Sequence, residues 1–223
     1  MTNHSRHGSP VLLAVLAAGA VYGAATSLVN AVAQSSVDLD SREATTNGWS
    51  IAEILSVLLD SGWAWAGLAV LAGAWATQSG LSAFGSRILA RGAVAGVLPL
   101  LAATGSYYAL DTIIHDDPVT SYAVDTAFWW TMALLLGPIL GVIGACARRP
   151  GVIGVLAQMA VPVGAAVQMV VMPPGRNGVI TTIGQWVVWT SSAVIIGVVV
   201  VRFLGVQRQR NHPRGADSSA ATT

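Results

Sequence analysis

The fold of this chain is decided by the stretch Thr126-Ala-Phe-Trp-Trp-Thr-Met-Ala-Leu-Leu-Leu-Gly-Pro-Ile-Leu-Gly-Val-Ile-Gly-Ala-Cys-Ala-Arg148-Arg149. From Thr126 to Ala147 it contains no charged residue, and it ends in two arginines. A run of about 20 apolar residues can cross the hydrocarbon core of a bilayer as a helix. Arginine beside a span marks its cytoplasmic end. The stretch therefore predicts a transmembrane helix that ends in the cytoplasm.

Five more apolar segments predict an all-α, six-span transmembrane bundle: Val11–Ala33, Trp63–Thr77, Gly92–Leu110, Gly151–Met172 and Val179–Leu204. Hydrophobic residues make up 54% of the chain and charged residues only 9%, whereas soluble domains carry about 25% charged residues. We predict one transmembrane domain over residues 1–204 and a disordered cytoplasmic tail over 205–223 that contains arginines. A cleaved signal peptide over residues 1–33 is an alternative for the first segment, because Ala31-Val32-Ala33 has the pattern of a cleavage site.

The charges alternate with the predicted spans. All eleven basic residues are arginines, and only Arg42 and Arg176 fall on the side that holds nine of the ten acids. The other nine lie in segments on the opposite side: Arg6, Arg87, Arg91, Arg148, Arg149, Arg202, Arg208, Arg210 and Arg214. Short loops rich in arginine stay in the cytoplasm. We therefore expect a multi-pass protein of the inner or plasma membrane with both termini inside, and outer loops over 34–50 and 111–125.

The second span has a complex beginning. Ser50 and Glu53 have the spacing of a capping box, and apolar residues then recur at helical spacing from Ile51 to Leu59. Asp60-Ser61-Gly62 interrupts the pattern before Trp63. This favours a short interfacial helix on the outer surface, which turns into a shorter span. A single helix over 51–77 is the alternative.

Small and polar residues within the spans predict contacts between helices. Glycines four residues apart allow helix backbones to approach closely in lipid, and three spans contain such a pair: Gly19 and Gly23, Gly92 and Gly96, Gly137 and Gly141. In the sixth span, Thr181, Gln185, Trp189 and Ser192 share one face. Polar side chains in lipid usually form hydrogen bonds with a neighbouring helix.

The chain lacks the common catalytic signatures. It contains no phosphate-binding loop of the G-x-x-x-x-G-K-[ST] type, no H-E-x-x-H and no G-x-S-x-G, and its four histidines are scattered. We therefore predict no catalytic residue, no metal site and no cofactor, and the sequence does not indicate an enzyme. Nucleic-acid binding is not indicated either, because the arginines follow the topology. Membrane lipids are the expected partners, with a protein partner in the membrane as a further possibility.

Candidate pocket residues lie toward the outer end of several spans. Polar side chains there avoid lipid by facing the bundle. We predict that Tyr107, Asp111 and Trp130 line the mouth of an outward-facing pocket, with Asn30 and Gln185 in its deeper wall. The alternative makes Tyr107 and Trp130 anchors that face lipid and Asp111 a solvated loop residue.

Three functions compete at this stage. The first is a small-solute transport or permeation protein with that outward-facing pocket. The second is a non-catalytic membrane component that binds a lipid or a protein partner. The third is an intramembrane enzyme that acts on a lipid-linked substrate.

Three stretches that cover about half of the chain carry a family resemblance: Leu58-Leu-Asp-Ser-Gly-Trp-Ala-Trp65 with Gly73, Leu98-Pro-Leu-Leu101 through Gly105-Ser-Tyr-Tyr-Ala-Leu-Asp111, and Gly137-Pro-Ile-Leu-Gly-Val-Ile-Gly144 with Arg148-Arg149. In these the chain resembles an actinobacterial family of small polytopic membrane proteins known only as a domain of unknown function. The resemblance implies an all-α polytopic fold and brings no substrate or site residue.

Overall fold

The computed structural model describes residues 8–35, 50–78, 85–173 and 178–211. Within these ranges the chain is helical and contains no strand. The described residues form seven α-helices, which we number in chain order: α1 Gly8–Ser35, α2 Ile51–Leu59, α3 Gly62–Ala76, α4 Ser86–His115, α5 Ala123–Ala147, α6 Val152–Val171 and α7 Gly178–Asn211. A short 3-10 helix, Val119–Tyr122, joins α4 to α5.

Five of these helices, α1 and α4 to α7, are long and apolar enough to cross a membrane. The pair α2 and α3 passes the same test only when taken together, and it bends by 58° at its break. The predicted interruption at Asp60-Ser61-Gly62 is thus confirmed, and the alternative of one helix over 51–77 is wrong. The capping box is also confirmed, because the Glu53 amide donates to Ser50 Oγ at 3.2 Å and the Ser50 amide donates to Glu53 Oε2 at 3.1 Å.

The predicted carboxyl-terminal ends of two spans need correction. Helix α4 continues past Leu110 to His115, so Asp111 is a helical residue and not a loop residue. Asp116 caps the helix in a left-handed conformation with φ 53°, two residues before Pro118. At the carboxyl end of the chain, α7 continues to Asn211. Residues 205–211 are therefore helical, and the remainder of the predicted tail lies outside the described residues.

Helices α1, α3, α4 and α5 form the packed part of the molecule. Helix α4 packs between α1 and α5, and α3 contacts all three of its neighbours in this group as well as α6. Helices α6 and α7 pair with each other, and α2 lies against both α1 and α7. We call the end of the bundle near Arg87 and Arg148 the arginine end, and the end near Asp60 and Asp125 the acidic end.

Glycine brings the helix backbones into contact toward the arginine end. A Cβ atom at Gly141 of α5 would lie 2.9 Å from the amide nitrogen of Gly96 in α4 and would overlap the Gly92 carbonyl. A Cβ atom at Gly73 of α3 would overlap the Gly141 backbone from the other side. Gly19 and Gly23 meet α4 in the same way at Pro99 and Ala103. The predicted packing role of all three glycine pairs is confirmed.

Two of the four polar residues that the sequence places on one face of α7 bind α6. Gln185 Nε2 donates to the Met169 carbonyl at 2.9 Å. Trp189 Nε1 donates to the Ala166 carbonyl at 3.2 Å. These two bonds hold α6 and α7 together as a pair.

Candidate functional site

The break between α2 and α3 creates backbone groups that the two helices cannot satisfy themselves. Such groups are tolerated at membrane depth only where other protein groups bind them. Tyr22 Oη donates to the Leu59 carbonyl at 2.5 Å, and Ser61 Oγ donates to the Val57 carbonyl at 2.5 Å. On the other side of the break, the Trp63 amide donates to Gln168 Oε1 of α6 at 3.0 Å. Side chains from α1 and α6 therefore hold the break in place.

Asn30 is the centre of a polar cluster beside this break. Its side chain is buried, and its Nδ2 donates to Tyr107 Oη at 3.0 Å and to Asp60 Oδ2 at 3.3 Å. Its Oδ1 accepts a hydrogen bond from Ser56 Oγ of α2. We call these four residues, Asn30, Ser56, Asp60 and Tyr107, the Asn30 cluster. It joins α1, α2 and α4 and fixes the position of Asp60 at the break.

A second bond joins α1 and α4 at the acidic end. Ser27 Oγ donates to Asp111 Oδ1 at 2.5 Å, and Ser27 is fully buried. The Asp111 carboxylate thus lies against α1, one helical turn beyond Tyr107 in α4. A carboxylate bound in this way is part of the contact between two helices.

A cleft of about 410 Å³ lies between α3, α4 and α5. One end is lined by the polar residues Asp60, Tyr107 and Tyr108, and the rest is mainly apolar. Trp129 and Leu136 on α5 are about half exposed, so the cleft is open at the protein surface. Its lining consists of Asp60, Gly62, Trp65, Ala66, Leu100, Thr104, Tyr107, Tyr108, Trp129, Met132, Ala133, Leu136 and Leu140. We call it the α3–α5 cleft.

The cleft is elongated along the helices and has a closed floor. It follows α5 from Trp129 to Leu140, which is about 16 Å at 1.5 Å per residue. The next residue, Gly141, is in contact with the backbones of α3 and α4. The cleft therefore ends where the glycines bring the three helices together.

Aromatic rings form a continuous chain along the polar end. Trp65 packs edge-on against Tyr22 at a centroid distance of 5.6 Å and against Tyr107 at 6.4 Å. Tyr107 in turn packs against Tyr108 at 5.1 Å. Edge-to-face pairs of this kind hold rings in fixed positions. Trp65 and Tyr107 are thus ordered parts of the cleft wall rather than anchors that face lipid.

The five predicted pocket residues do not form one site. Asn30, Tyr107 and Asp111 lie together on the α1–α4 side, and of these Tyr107 lines the cleft. Trp130 is 44% exposed, donates to the Leu101 carbonyl at 3.2 Å and lies outside the cleft lining. Gln185 is bound at the α6–α7 contact. The predicted deep wall shared by Asn30 and Gln185 is therefore wrong, because each amide binds a different neighbouring helix.

Sequence reasoning missed Trp65, Ser56 and Gln168. Trp65 lies on the wall of the cleft, while Ser56 and Gln168 stabilise the broken helix. The break at 60–62 was the available signal, because a broken span requires polar partners from other helices. The sequence marks Asp60 only as part of the interruption before Trp63, whereas the structure places it at the polar end of the cleft.

The cleft lining combines a few polar residues with many apolar ones. Among residues 8–35, 50–78, 85–173 and 178–211, no group of three or more His, Cys, Asp or Glu side chains could hold a metal ion. The cleft offers one carboxylate, a few hydroxyls, and a long apolar wall. These suit a molecule with a polar head and an apolar tail.

No known protein family, curated protein or solved structure matches this chain.

Proposed function

We propose that this protein is a non-catalytic multi-pass membrane protein that binds an amphiphilic molecule in the α3–α5 cleft. The shape and polarity of the cleft are the observation that carries the proposal. Small-molecule sites are mostly apolar and contain a small number of placed polar groups. Here the polar residues lie at one end, beside Asp60, and the cleft as a whole extends about 16 Å along α5. This corresponds to a head group at the acidic end and an acyl or alkyl chain along the helices.

Transport is the second candidate, and the floor of the cleft argues against it. A pathway through the α3–α4–α5 contact would require the backbones around Gly141 to separate. Close-packed backbones of this kind favour a fixed arrangement. Binding needs no such opening, and it uses the cleft as it stands.

For the topology we propose six spans with both termini in the cytoplasm, with α2 and α3 together forming the second span. Helix α3 has 15 residues and is about 22 Å long, which is short of the roughly 30 Å hydrocarbon core. With α3 upright, the 9 residues of α2, tilted by 58°, add about 7 Å of height. The pair then crosses the core, and α2 lies obliquely near the outer surface. The arginine end of the bundle faces the cytoplasm in this arrangement.

We also propose that this chain belongs to the actinobacterial family of small polytopic membrane proteins that it resembles. That family brings no ligand, so the proposed binding site depends only on the cleft of this chain.

The binding proposal can be tested by photo-crosslinking in proteoliposomes. The probe is a monoacylglycerol, a neutral amphiphile, that carries a diazirine in its acyl chain, and labelled residues are identified by mass spectrometry. We expect saturable labelling of Met132, Leu136 and Leu140, which unlabelled monoacylglycerol suppresses. As a reference, Val163 and Val167 on α6 are exposed without lining the cleft, and we expect their labelling to be weak and not saturable.

A matched pair of variants controls this experiment. Leu136 lines the cleft, whereas the adjacent Leu135 is 61% exposed and does not. We expect Leu136→Trp to occupy part of the cleft and to abolish saturable labelling, and Leu135→Trp to leave it unchanged. Labelling that follows exposure alone, without saturation and without a difference between the two variants, would show that the cleft is filled by bulk lipid.

A further inference from the structure

We propose that the α3–α5 cleft recognises an acyl ester, because Thr104 offers a hydrogen bond to the ester carbonyl of a bound amphiphile. This inference rests on the proposed binding function and names the group that links the head of the ligand to its chain. It follows from two features of Thr104, its free hydroxyl and its level in the cleft.

The Thr104 hydroxyl has no partner in the part of the chain that the structure describes. A threonine hydroxyl within a helix can donate to the carbonyl four residues earlier, and Thr26, Thr112, Thr131 and Thr182 do so. Thr104 makes no such bond, although the residue is only 3% exposed. Its hydroxyl is therefore a donor that the described residues leave unused.

This free hydroxyl faces the cleft. Among the described residues, the side-chain polar atoms that are fully buried without a partner are Trp63 Nε1 and Arg91 Nε. The Thr104 oxygen is not one of them, so it borders open space, and the open space beside Thr104 is the cleft that it lines. A polar group without a partner is costly at membrane depth. A ligand that brings an acceptor to this point removes that cost.

The level of Thr104 identifies the acceptor. Thr104 lies one helical turn before Tyr107 and Tyr108 on α4, which places it about 5 Å from them toward the floor of the cleft. Deeper in the cleft, the lining is apolar, with Leu100 on α4 and Leu136 on α5. An amphiphile with its head group beside the two tyrosines and its chain along the leucines has its linkage group at Thr104. In an acyl ester this linkage contains a carbonyl, whereas the corresponding ether has none.

Competition by a matched ester and ether measures this recognition. The competitors against the photo-probe are monopalmitoylglycerol and monohexadecylglycerol, which share the head group and the chain length and differ by one carbonyl. The vesicles consist of dialkyl phosphatidylcholine, which contains no carbonyl group. The quantity compared is the ratio of the ether concentration to the ester concentration at half-maximal competition. Since each ratio is measured within one protein, it does not depend on the folded yield of a variant.

Thr104→Val removes the hydroxyl and keeps the branched shape of the side chain. We expect the ratio to be about fivefold higher in the wild type than in this variant, because one hydrogen bond to the ester is lost. Equal ratios in the two proteins would overturn ester recognition and leave the amphiphile site intact. Absence of saturable labelling in the wild type would overturn both proposals.

Two further variants separate the hydroxyl from packing. Thr104→Ser keeps the hydroxyl, and we expect it to keep most of the preference for the ester. Thr131→Val is the control, because Thr131 is exposed on α5, donates to the Ala127 carbonyl at 2.8 Å and does not line the cleft. We expect this control to leave the ratio unchanged. A ratio as low as that of Thr104→Val in either variant would attribute the effect to packing and would overturn the proposal.

The ester could belong to a lipid of the bilayer or to a separate acyl ester. Vesicles of diacyl phosphatidylcholine supply ester carbonyls in the bilayer, whereas the dialkyl vesicles do not, and their head groups are the same. If the bilayer lipid occupies the cleft, labelling of the wild type by the probe falls in diacyl vesicles more than labelling of Thr104→Val does. If the natural ligand is a separate ester, the two proteins respond equally to the change of vesicle. With the fivefold difference in ratio established, either result supports an ester site, and the comparison identifies the source.

Discussion

Adding a single methyl group at Gly141 tests the contact that closes the floor of the cleft. A Cβ atom there would lie 2.9 Å from both the Gly92 carbonyl carbon and the Gly96 amide nitrogen, and it would overlap the Gly92 carbonyl oxygen. All of these atoms belong to the backbone, so no side chain can rotate away. Helices α4 and α5 must therefore move apart in Gly141→Ala.

The cost can be compared with that of the same change at an open position. Overpacking of a close-packed site costs about 1–3 kcal/mol, while alanine improves an exposed helix position by about 0.5–1 kcal/mol over glycine. Gly164 of α6 has no atom within 4 Å of an added Cβ. Gly164→Ala should therefore only gain the stability that alanine has over glycine in a helix. Because this gain is common to both variants, we expect them to differ by the overpacking cost of about 2 kcal/mol, which corresponds to roughly 4–8 °C in Tm for a chain of this length.

The assay is size-exclusion chromatography of detergent-solubilised protein after heating, in which loss of the monodisperse peak gives an apparent Tm. We expect Gly141→Ala to lie well below the wild type and Gly164→Ala to lie at or slightly above it. Equal values for the two variants would mean that the backbones of α4 and α5 do not touch at Gly141. The closed floor, and with it the case against permeation, would then be lost.

Two further predictions concern the Asn30 cluster and the topology. Asn30→Leu removes three hydrogen bonds between α1, α2 and α4, which at about 0.6 kcal/mol each should lower stability by about 2 kcal/mol. Gln158→Leu, which removes one bond to the Ala147 carbonyl, should cost less than half of this, and equal losses would refute a central role for Asn30. In a Cys146→Ser background, single cysteines within 36–48 and 112–122 should react with an impermeant maleimide from outside the cell. Cysteines within 80–86 and 208–220 should not, and the reverse pattern would invert the proposed topology.

The sequence predicts the helices of this fold well because each one depends on local information. Runs of apolar residues are long enough to define spans, and Asp60-Ser61-Gly62 interrupts one of them visibly. The glycine pairs also predict contacts correctly, because a missing side chain is a strong signal in lipid. Helix ends are harder to predict. Asp111 has the charge of a loop residue, yet α4 accommodates it because Ser27 binds its carboxylate across the helix contact.

The site is much less predictable because it depends on which helix each polar residue faces. Asn30 and Gln185 have the same side-chain amide and lie toward the acidic end of α1 and α7, and the sequence gives no reason to separate them. The structure separates the two residues, because Gln185 binds a carbonyl of α6 while Asn30 binds Asp60 and Tyr107. Pairings of this kind are set by the order in which helices pack, which no single span encodes.

The broken helix connects the fold to the proposed binding site. An intact second span would place residue 60 within a continuous backbone ladder, with its carboxylate facing wherever the helical phase directed it. Because of the break, helical phase no longer fixes the direction of the Asp60 side chain. The break also leaves carbonyls and amides that need partners in lipid. Tyr22, Asn30 and Gln168 supply those partners or position the residues around them, and the result is a carboxylate held beside four aromatic rings. If Asn30→Leu weakens both the stability of the protein and the saturable labelling of the cleft by the monoacylglycerol probe, then one set of polar residues both stabilises the break and shapes the polar end of the cleft.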